Sequence, residues 1–580
     1  MKELKSITAL VADDSPVMIS SIRQMLVNMG LNEKNVNHAK DPKAAIWHCK
    51  KQKFDVIICD YNFFTRLNGR QVFEELKYYN LLNPEAVFII ITGESLSKVV
   101  RSIIELDPDE YLLKPFNSQF FTFKVKNALK RKAALYKLYE AKNNKNYKEG
   151  LLLADQLTIK FPQYYYIIQK LRGELYTLLS MFNEAKELYS SIVLEKDVEW
   201  ANVGLADSLI ELGELSRAEV IINKILDKVP NSVSGLSLNA KYDIYSGDVP
   251  NAIKQFSIIS ELAPGNPERE LVIANLCLSQ GDFRNAASRF MTYYELNIDT
   301  YRDSFEARYN YIRCILFIYD AMNKFNVKGS QNKELMNATL TLKVEALNEY
   351  KTLANLRHRN NAKADDSGES VKDGDCDSEL ILSHFAIMEG NISEAMTILK
   401  HLYANKAIKG FYSNIHYNYL LDSLSFNREF NENMMTLKTF MDSQNISPIL
   451  LKSQLEVISS QINHHKKNVQ YIKKAYEAFN ECVKTGDIMK ALDVLLKIRA
   501  KNKYIREVNG NLIKYLAVNW PSNYTGRDIR LLLKDCYHIC KELYNNNELT
   551  QLGIHSNYRL AEDLASSRTS NNDTEIASTT

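Results

Sequence analysis

The sequence predicts a multidomain chain: an N-terminal α/β domain built on a doubly wound parallel sheet, followed by an all-α solenoid. Two observations carry this. Short apolar runs alternate with stretches of helical spacing over the first 115 residues, and glycine, alanine and proline recur every 34 residues further on.

Four apolar runs read as strands buried on both faces: Thr8-Ala9-Leu10-Val11-Ala12, Asp55-Val56-Ile57-Ile58-Cys59, Val87-Phe88-Ile89-Ile90-Ile91 and Tyr111-Leu112-Leu113. Helical spacing fills the gaps, from Pro16 to Met29, Pro42 to Gln52, Gly69 to Asn80 and Ser95 to Leu106. A βαβα order makes the sheet parallel, and such sheets bind ligands outside the carboxyl ends of their strands. Asp13, Asp14, Asp60, Thr92 and Lys114 all fall at those ends. They are therefore expected to converge.

The chemistry of that cluster follows from its residue types. Three carboxylates in one crevice repel one another, and Mg²⁺, a small hard cation that takes oxygen ligands, relieves the repulsion. With a cation held by Asp13, Asp14 and Asp60, the Lys114 ammonium and the Thr92 hydroxyl would bind the oxygens of a phosphoryl group. Asp60 is then a candidate nucleophile. No glycine-rich phosphate loop follows the first strand, which disfavours a nucleotide-cofactor enzyme.

Asp13-Asp14, Asp60, Thr92 and Lys114-Pro115, each after its strand, resemble the receiver domain of two-component response regulators over residues 1–130. That resemblance implies a flavodoxin-like, five-stranded sheet and a phosphorelay role, with Asp60 accepting a phosphoryl group from a histidine kinase. It implies that Asp14, Asp60 and the backbone carbonyl of Asn62 hold Mg²⁺, with Asp13 acting through water. Thr92 and Lys114 would contact the phosphoryl oxygens, Tyr111 would be the switch aromatic drawn inward by Thr92, and the Lys114-Pro115 bond would be cis. Asn62 and Glu94 occupy the positions that tune the hydrolytic water, and match the pair of the chemotaxis receiver. A short-lived phosphoryl group is the expectation. The loop from Tyr61 to Gly69 departs from the family, being one residue longer and carrying Phe64 where proline is common.

The last receiver helix is expected to start at Asn117, a good cap, and to carry Phe120, Phe121, Phe123, Val125 and Leu129. No glycine or proline stops it through Lys130-Arg131-Lys132-Ala133-Ala134-Leu135. It either runs on into the next domain or breaks near Lys130.

Gly213, Gly247 and Gly281 share the 34-residue period with Ala218, Ala252 and Ala286, with Ile222, Phe256 and Phe290, and with Pro230 and Pro264. Each unit then holds two antiparallel helices: glycine ends the first, the small alanine lets the second pack closely, and the large residue fills the seam. This resembles the tetratricopeptide repeat (TPR). Weaker copies lie at Ala185 with Tyr189 and at Gly150 with Ala154 and Pro162, giving units at 131–164, 165–198, 199–232, 233–266 and 267–300. A helical connector is expected over 301–358, a mobile polar loop over 359–378, degenerate TPR-like repeats over 379–565 and a disordered tail over 566–580. Trp520-Pro521 reads as a turn.

Asp207, Lys241 and Asn275 take one inner-facing position in three successive units. They are candidate partner contacts, against ordinary solvation of a polar face. The layout resembles VieB-type auxiliary regulators, which act on other members of a signalling pathway.

Other features are bland. Glu345-Ala346-Leu347 spells a phosphodiesterase signature but stands in a helical stretch without further metal-binding carboxylates. Cys536 and Cys540 share a helical face from which His538 points away, so they read as core, and His464-His465 reads as surface. Lys+Arg 73 against Asp+Glu 70 gives a net charge of +3, and no helix-turn-helix signature is present, so direct nucleic-acid binding is disfavoured. Eight scattered cysteines, an N-terminus without a signal-peptide core and no span of ~20 apolar residues point to a soluble cytoplasmic protein with no membrane insertion.

The resulting expectation is a non-enzymatic response regulator whose output is a second signalling protein bound by the solenoid. The alternatives are a phosphate sink that drains a kinase and a constitutive TPR scaffold. Homodimerisation through the fourth and fifth receiver helices, which the family often uses, stays open.

Overall fold

The computed structural model describes residues 3–94, 97–323, 333–367, 376–444, 446–520 and 524–577. Two compact units divide the chain: Met1–Ile273 with Tyr293–Ser304, and Ala274–Thr292 with Phe305–Thr580.

The first unit opens with β1 (Ala9–Ala12), α1 (Pro16–Met29), β2 (Val36–Ala39), α2 (Pro42–Lys51), β3 (Val56–Asp60), α3 (Gly69–Tyr78), β4 (Val87–Thr92), α4 (Ser97–Leu106) and β5 (Glu110–Leu113). The five parallel strands lie in the order β2-β1-β3-β4-β5. In β1, β3 and β4 every residue is buried. Ala9, Val11, Val56, Ile58, Val87, Ile89 and Ile91 pack toward α1 and the last receiver helix, while Leu10, Ile57, Phe88 and Ile90 pack toward α2, α3 and α4. Continuous apolar strands are what a sheet covered on both faces requires.

The helix α5 runs unbroken from Ser118 to Asn143, and the Asn117 side chain caps it by accepting from the Phe120 amide at 2.8 Å. There is no break at Lys130. Phe121, Val125 and Ala128 of this helix are buried against the sheet, whereas Leu135 and Leu138 belong to the next hydrophobic cluster with Ala154, Leu157, Ile168 and Leu175.

Helix pairs follow: α6 (Tyr147–Lys160), α7 (Tyr165–Leu178), α8 (Phe182–Glu195), α9 (Glu199–Glu211), α10 (Leu215–Lys228), α11 (Val233–Ser246), α12 (Val249–Leu262), α13 (Pro267–Ser279) and α14 (Phe283–Asn297). Gly213, Gly247 and Gly281 sit between paired helices with φ of +75°, +88° and +73°, in the left-handed region where glycine has no Cβ penalty. Ala154, Ala185, Ala218 and Ala252 are all fully buried in the seams.

The second unit is helical among its described residues. After the parts of α13 and α14 that belong to it come α15 (Glu306–Asn323), α16 (Lys333–Ser367), α17 (Cys376–Glu389), α18 (Ile392–Ala404), α19 (Phe411–Ser423), α20 (Asn427–Asp442), α21 (Pro448–Lys484), α22 (Ile488–Lys501), α23 (Arg506–Leu516), α24 (Gly526–Leu543), α25 (Asn546–Gln551) and α26 (Ile554–Ala577). The loop expected over 359–378 is helical to Ser367 and again from Cys376. The tail expected to be disordered is helical to Ala577. Neither stretch contains a proline, and Arg359–Ser367 and Ser566–Ala577 contain no glycine, so each preceding helix propagates. Residues 368–375, 578–580 and Pro521 of the expected turn lie outside the described residues.

A buried polar chain crosses α15, α17 and α19. Arg313 Nε lies 3.3 Å from His416 Nδ1, His416 Nε2 lies 3.0 Å from His384 Nδ1, and His384 Nε2 lies 3.0 Å from Asp320, which also accepts from Tyr419 at 2.8 Å. Arginine only donates, so His416 accepts at Nδ1 and donates from Nε2, and His384 passes its own hydrogen to Asp320. Every bond in the chain then points one way.

Candidate phosphoryl-acceptor site

Every candidate site residue in residues 1–130 except Tyr111, which lies within β5, stands at the carboxyl end of a strand or in the loop just beyond it. Asp13 and Asp14 follow β1, Asp60 ends β3, Thr92 ends β4 and Lys114 follows β5. Parallel pairing in register sets these ends side by side: Ala12 faces Cys59, Asp60 faces Ile91, and Thr92 faces Leu113.

Lys114 Nζ lies 2.8 Å from Asp13 Oδ2 and 3.0 Å from Asp60 Oδ2. The Tyr61 amide donates to Asp60 Oδ1 at 2.8 Å, and the Ser15 amide to Asp13 Oδ1 at 2.8 Å. Thr92 is buried, and its Oγ1 accepts from the Glu94 amide at 3.0 Å. Asn62 Nδ2 donates to Glu94 Oε1, a bond that bridges the loop after β3 and the loop after β4. The Lys114-Pro115 peptide is cis. Tyr111 stands partly exposed at the sheet edge.

Asp13, Asp14 and Asp60 each bring one carboxylate oxygen within 4.8 Å of the others. Burial holds the Asp60 carboxyl above its ordinary pKa; the Lys114 hydrogen bond pulls it down and the charge of Asp13 pushes it up. Three carboxylates set against the single ammonium of Lys114 form an oxygen-only donor set with net negative charge, which fits a hard divalent cation such as Mg²⁺.

One contact has no signal in sequence spacing. Gly69, the first residue of α3, approaches Asp60 so closely that a Cβ there would stand 2.3 Å from the Asp60 carbonyl oxygen. Its amide also donates to the Tyr61 carbonyl at 2.8 Å. The longer Tyr61–Asn68 loop closes on this glycine, with Phe64 at φ +49° and its ring almost fully exposed.

The remaining candidates lie elsewhere. Lys241 pairs with Asp207 at 2.5 Å and Glu211 at 2.7 Å. Asn275 is fully buried, donating to Ser453 at 3.0 Å and accepting from Tyr412 at 2.9 Å. Asn275 is therefore closed to a partner by α19 and α21, which pack on the face the period alone would leave open, and Lys241 is held by two carboxylates of α9. His465 is likewise buried rather than on the surface, 2.6 Å from Asp422 and stacked on Phe430 at 4.0 Å. Cys536 and Cys540 are core residues, and His538 turns to the Gly390 carbonyl at 2.9 Å. Glu345 accepts from Tyr311 at 2.6 Å within the α15–α16 pair. No helix among the described residues is long and apolar enough to cross a membrane.

Comparison with known proteins agrees with this geometry. The family model described as response regulator receiver domain matches residues 9–126. The chain is similar to a cyclic di-GMP phosphodiesterase of Thermotoga maritima, 22% identical over 223 residues, covering 38% of this chain and 55% of the relative. It is also similar to the alkaline phosphatase synthesis transcriptional regulatory protein PhoP of Bacillus subtilis, 28% identical over 156 residues, covering 27% of this chain and 61% of that one. The chain thus spans less than two thirds of either relative's length. A solved receiver domain protein from Clostridium thermocellum is 26% identical, with 22% of this chain and 98% of that chain covered and a TM-score of 0.20. Residues 9–126 of this chain are a response regulator receiver domain, and a helical region follows it.

Proposed function

We propose that the receiver takes a phosphoryl group on Asp60 from a histidine kinase and that the helical region, read as TPR-like repeats, delivers the signal to a protein partner. The observation that carries the reading is the Lys114 ammonium set between Asp13 and Asp60 at 2.8 and 3.0 Å. In that place it balances the acceptor carboxylate before transfer and can hold a phosphoryl oxygen afterwards.

In the transfer, a carboxylate oxygen of Asp60 attacks the phosphorus of a phosphohistidine. The O–P bond forms, the P–N bond breaks, and its electron pair returns to the imidazole nitrogen. Lys114 and Thr92 take phosphoryl oxygens. Asp13, Asp14, Asp60 and the Asn62 carbonyl would hold Mg²⁺, whose charge would help neutralise the transferring group. In the return step water attacks the phosphorus, the bond to Asp60 breaks, and Asn62 and Glu94 govern how that water enters. The phosphorylated site favours one receiver state through contacts made only there, and so biases what the repeats present. Binding of protein rather than DNA fits the near-balanced charge and the helix-pair architecture.

The test incubates wild-type protein and Asp60→Ala with a small phosphodonor and Mg²⁺, then reads mass and partner capture. A phosphoryl-sized mass increase in wild type alone, with one partner whose capture changes only there, is the expected result. Equal capture under all conditions, with phosphorylation of the wild type established, would leave a constitutive scaffold or a phosphate sink.

A further inference from the structure

In chain order α3 follows the β3 strand that ends in Asp60 and α4 follows the β4 strand that ends in Thr92, and the helical region holds both helices. On α3, Gln71 Nε2 donates to the Leu296 carbonyl at 2.8 Å, Glu74 accepts from Arg302 Nη1 at 2.5 Å, and Glu75 accepts from the Tyr301 amide. The Tyr78 ring stacks on Tyr301 with centroids 3.9 Å apart. On α4, Ser102 Oγ donates to the Pro264 carbonyl at 2.9 Å, and Glu105 accepts from Asn266 at 2.8 Å and from Arg269. Arg70 of α3, braced by Glu74 of the same helix at 3.0 Å, ties the two helices to each other by donating to the Ser102 carbonyl at 3.5 Å. Residues 264–269 and 296–302 therefore fix the spacing between α3 and α4.

That spacing reaches the acceptor by two short routes. Through α3, Gly69 is wedged against the Asp60 carbonyl and anchors the loop that carries Asn62. Glu94 stands on the loop ahead of α4, with its amide held by Thr92. The bond from Asn62 to Glu94 spans the two loops, so its length depends on the distance the clamp imposes. Packed elements of this kind move as rigid bodies rather than deforming continuously.

Resting on the proposed acceptor role of Asp60, we infer that residues 264–269 and 296–302 position the Asn62–Glu94 bridge and thereby lengthen the life of the phosphoryl group on Asp60. Arg302 is a positioning residue in this scheme, since it acts only through α3. Coupling is reciprocal: whatever occupies the repeats at 296–302 changes the phosphoryl lifetime, and phosphorylation changes the hold on α3.

The experiment follows loss of the phosphoryl group from full-length protein after the phosphodonor is removed, by mass. Arg302→Glu sets like charges against Glu74 and is expected to speed the loss by about fivefold or more, and Arg302→Lys to keep it near wild type. In an Asn62→Ala background the charge reversal is expected to add nothing, because its route is already cut. If wild type labels and Arg302→Glu decays at the same rate, the inference is wrong while the acceptor role stands. An effect of equal size in both backgrounds also overturns it, because it then bypasses the bridge. If wild type fails to label at all, the acceptor role and the inference fall together.

Discussion

The ammonium of Lys114 lies 3.0 Å from the carboxylate of Asp60, at the ends of two strands separated in the sheet by β4. An exposed pair would contribute little, but Lys114 is largely buried here and Asp60 almost wholly so. Replacing Lys114 with Ala is expected to slow phosphoryl acceptance by about 100-fold, the scale set by removing one preorganised hydrogen-bond donor from an oxyanion-stabilising site. Rates of labelling with a small phosphodonor check this, and near wild-type labelling would remove Lys114 from the chemistry.

The Asp60 carboxyl is held above its ordinary pKa by burial first. A raised folded-state value stabilises below the unfolded value, and that contribution is lost as pH rises through the raised one. At neutral pH the ionised group therefore costs stability. Asp60→Asn is expected to melt higher than wild type at pH 7.5, and the difference to shrink on acidification. Differential scanning calorimetry of both proteins reads it.

Mg²⁺ is expected to raise the melting temperature of wild type, since a ligand at 100 times its Kd contributes about 2.7 kcal/mol. Asp14→Asn should lose most of that gain, because one of the three clustered carboxylates is gone. Titration of the metal in thermal-shift assays tests it, and an unchanged response in the variant counts against the ligand set.

Gly69→Ala would drive a methyl group to 2.3 Å from the Asp60 carbonyl, a backbone atom that cannot swing aside. Overpacking of that kind costs about 1–3 kcal/mol. The variant is expected to unfold at lower urea and to accept phosphoryl more slowly even where it remains folded.

His416 is fully buried, and burial first, then His384 and Arg313, pushes its pKa well below the ordinary value. The unfolded chain binds a proton below about pH 6.5 that the folded chain refuses, so stability falls as pH drops, by up to about 1.4 kcal/mol per pH unit. Urea melts at pH 7.5 and 5.5 should separate accordingly. His416→Asn is expected to flatten the dependence.

Much of this was legible in the sequence, for physical reasons that differ by element. Strands such as Val87–Thr92 declare themselves because a sheet covered on both faces demands unbroken apolar runs. By contrast β2 reads Val-Asn-His-Ala, an edge strand with two residues toward solvent, and no apolar run marks it. Helix pairs were plain where glycine takes the left-handed turn at 213, 247 and 281. They were faint where Lys145, Ser180 and Ser425 adopt the same positive φ without being glycine. The five polar stations of the site were visible as strand ends. Gly69 was not, because a close approach leaves no periodic trace. The burial of Asn275 and His465 depends on partners far off in the chain, Ser453 and Tyr412 for the first and Asp422 and Phe430 for the second, which no local pattern encodes.

The unbroken α5 joins the sheet to the helical region through one continuous rod of 26 residues, about 39 Å long. Such a rod carries rotation as well as push. Adding one residue in its middle would turn everything beyond by about 100° and advance it by about 1.5 Å. The two halves therefore share a helical phase as meshed gears do, and an evolutionary exchange of receivers on this body would succeed only at insertions that restore the turn.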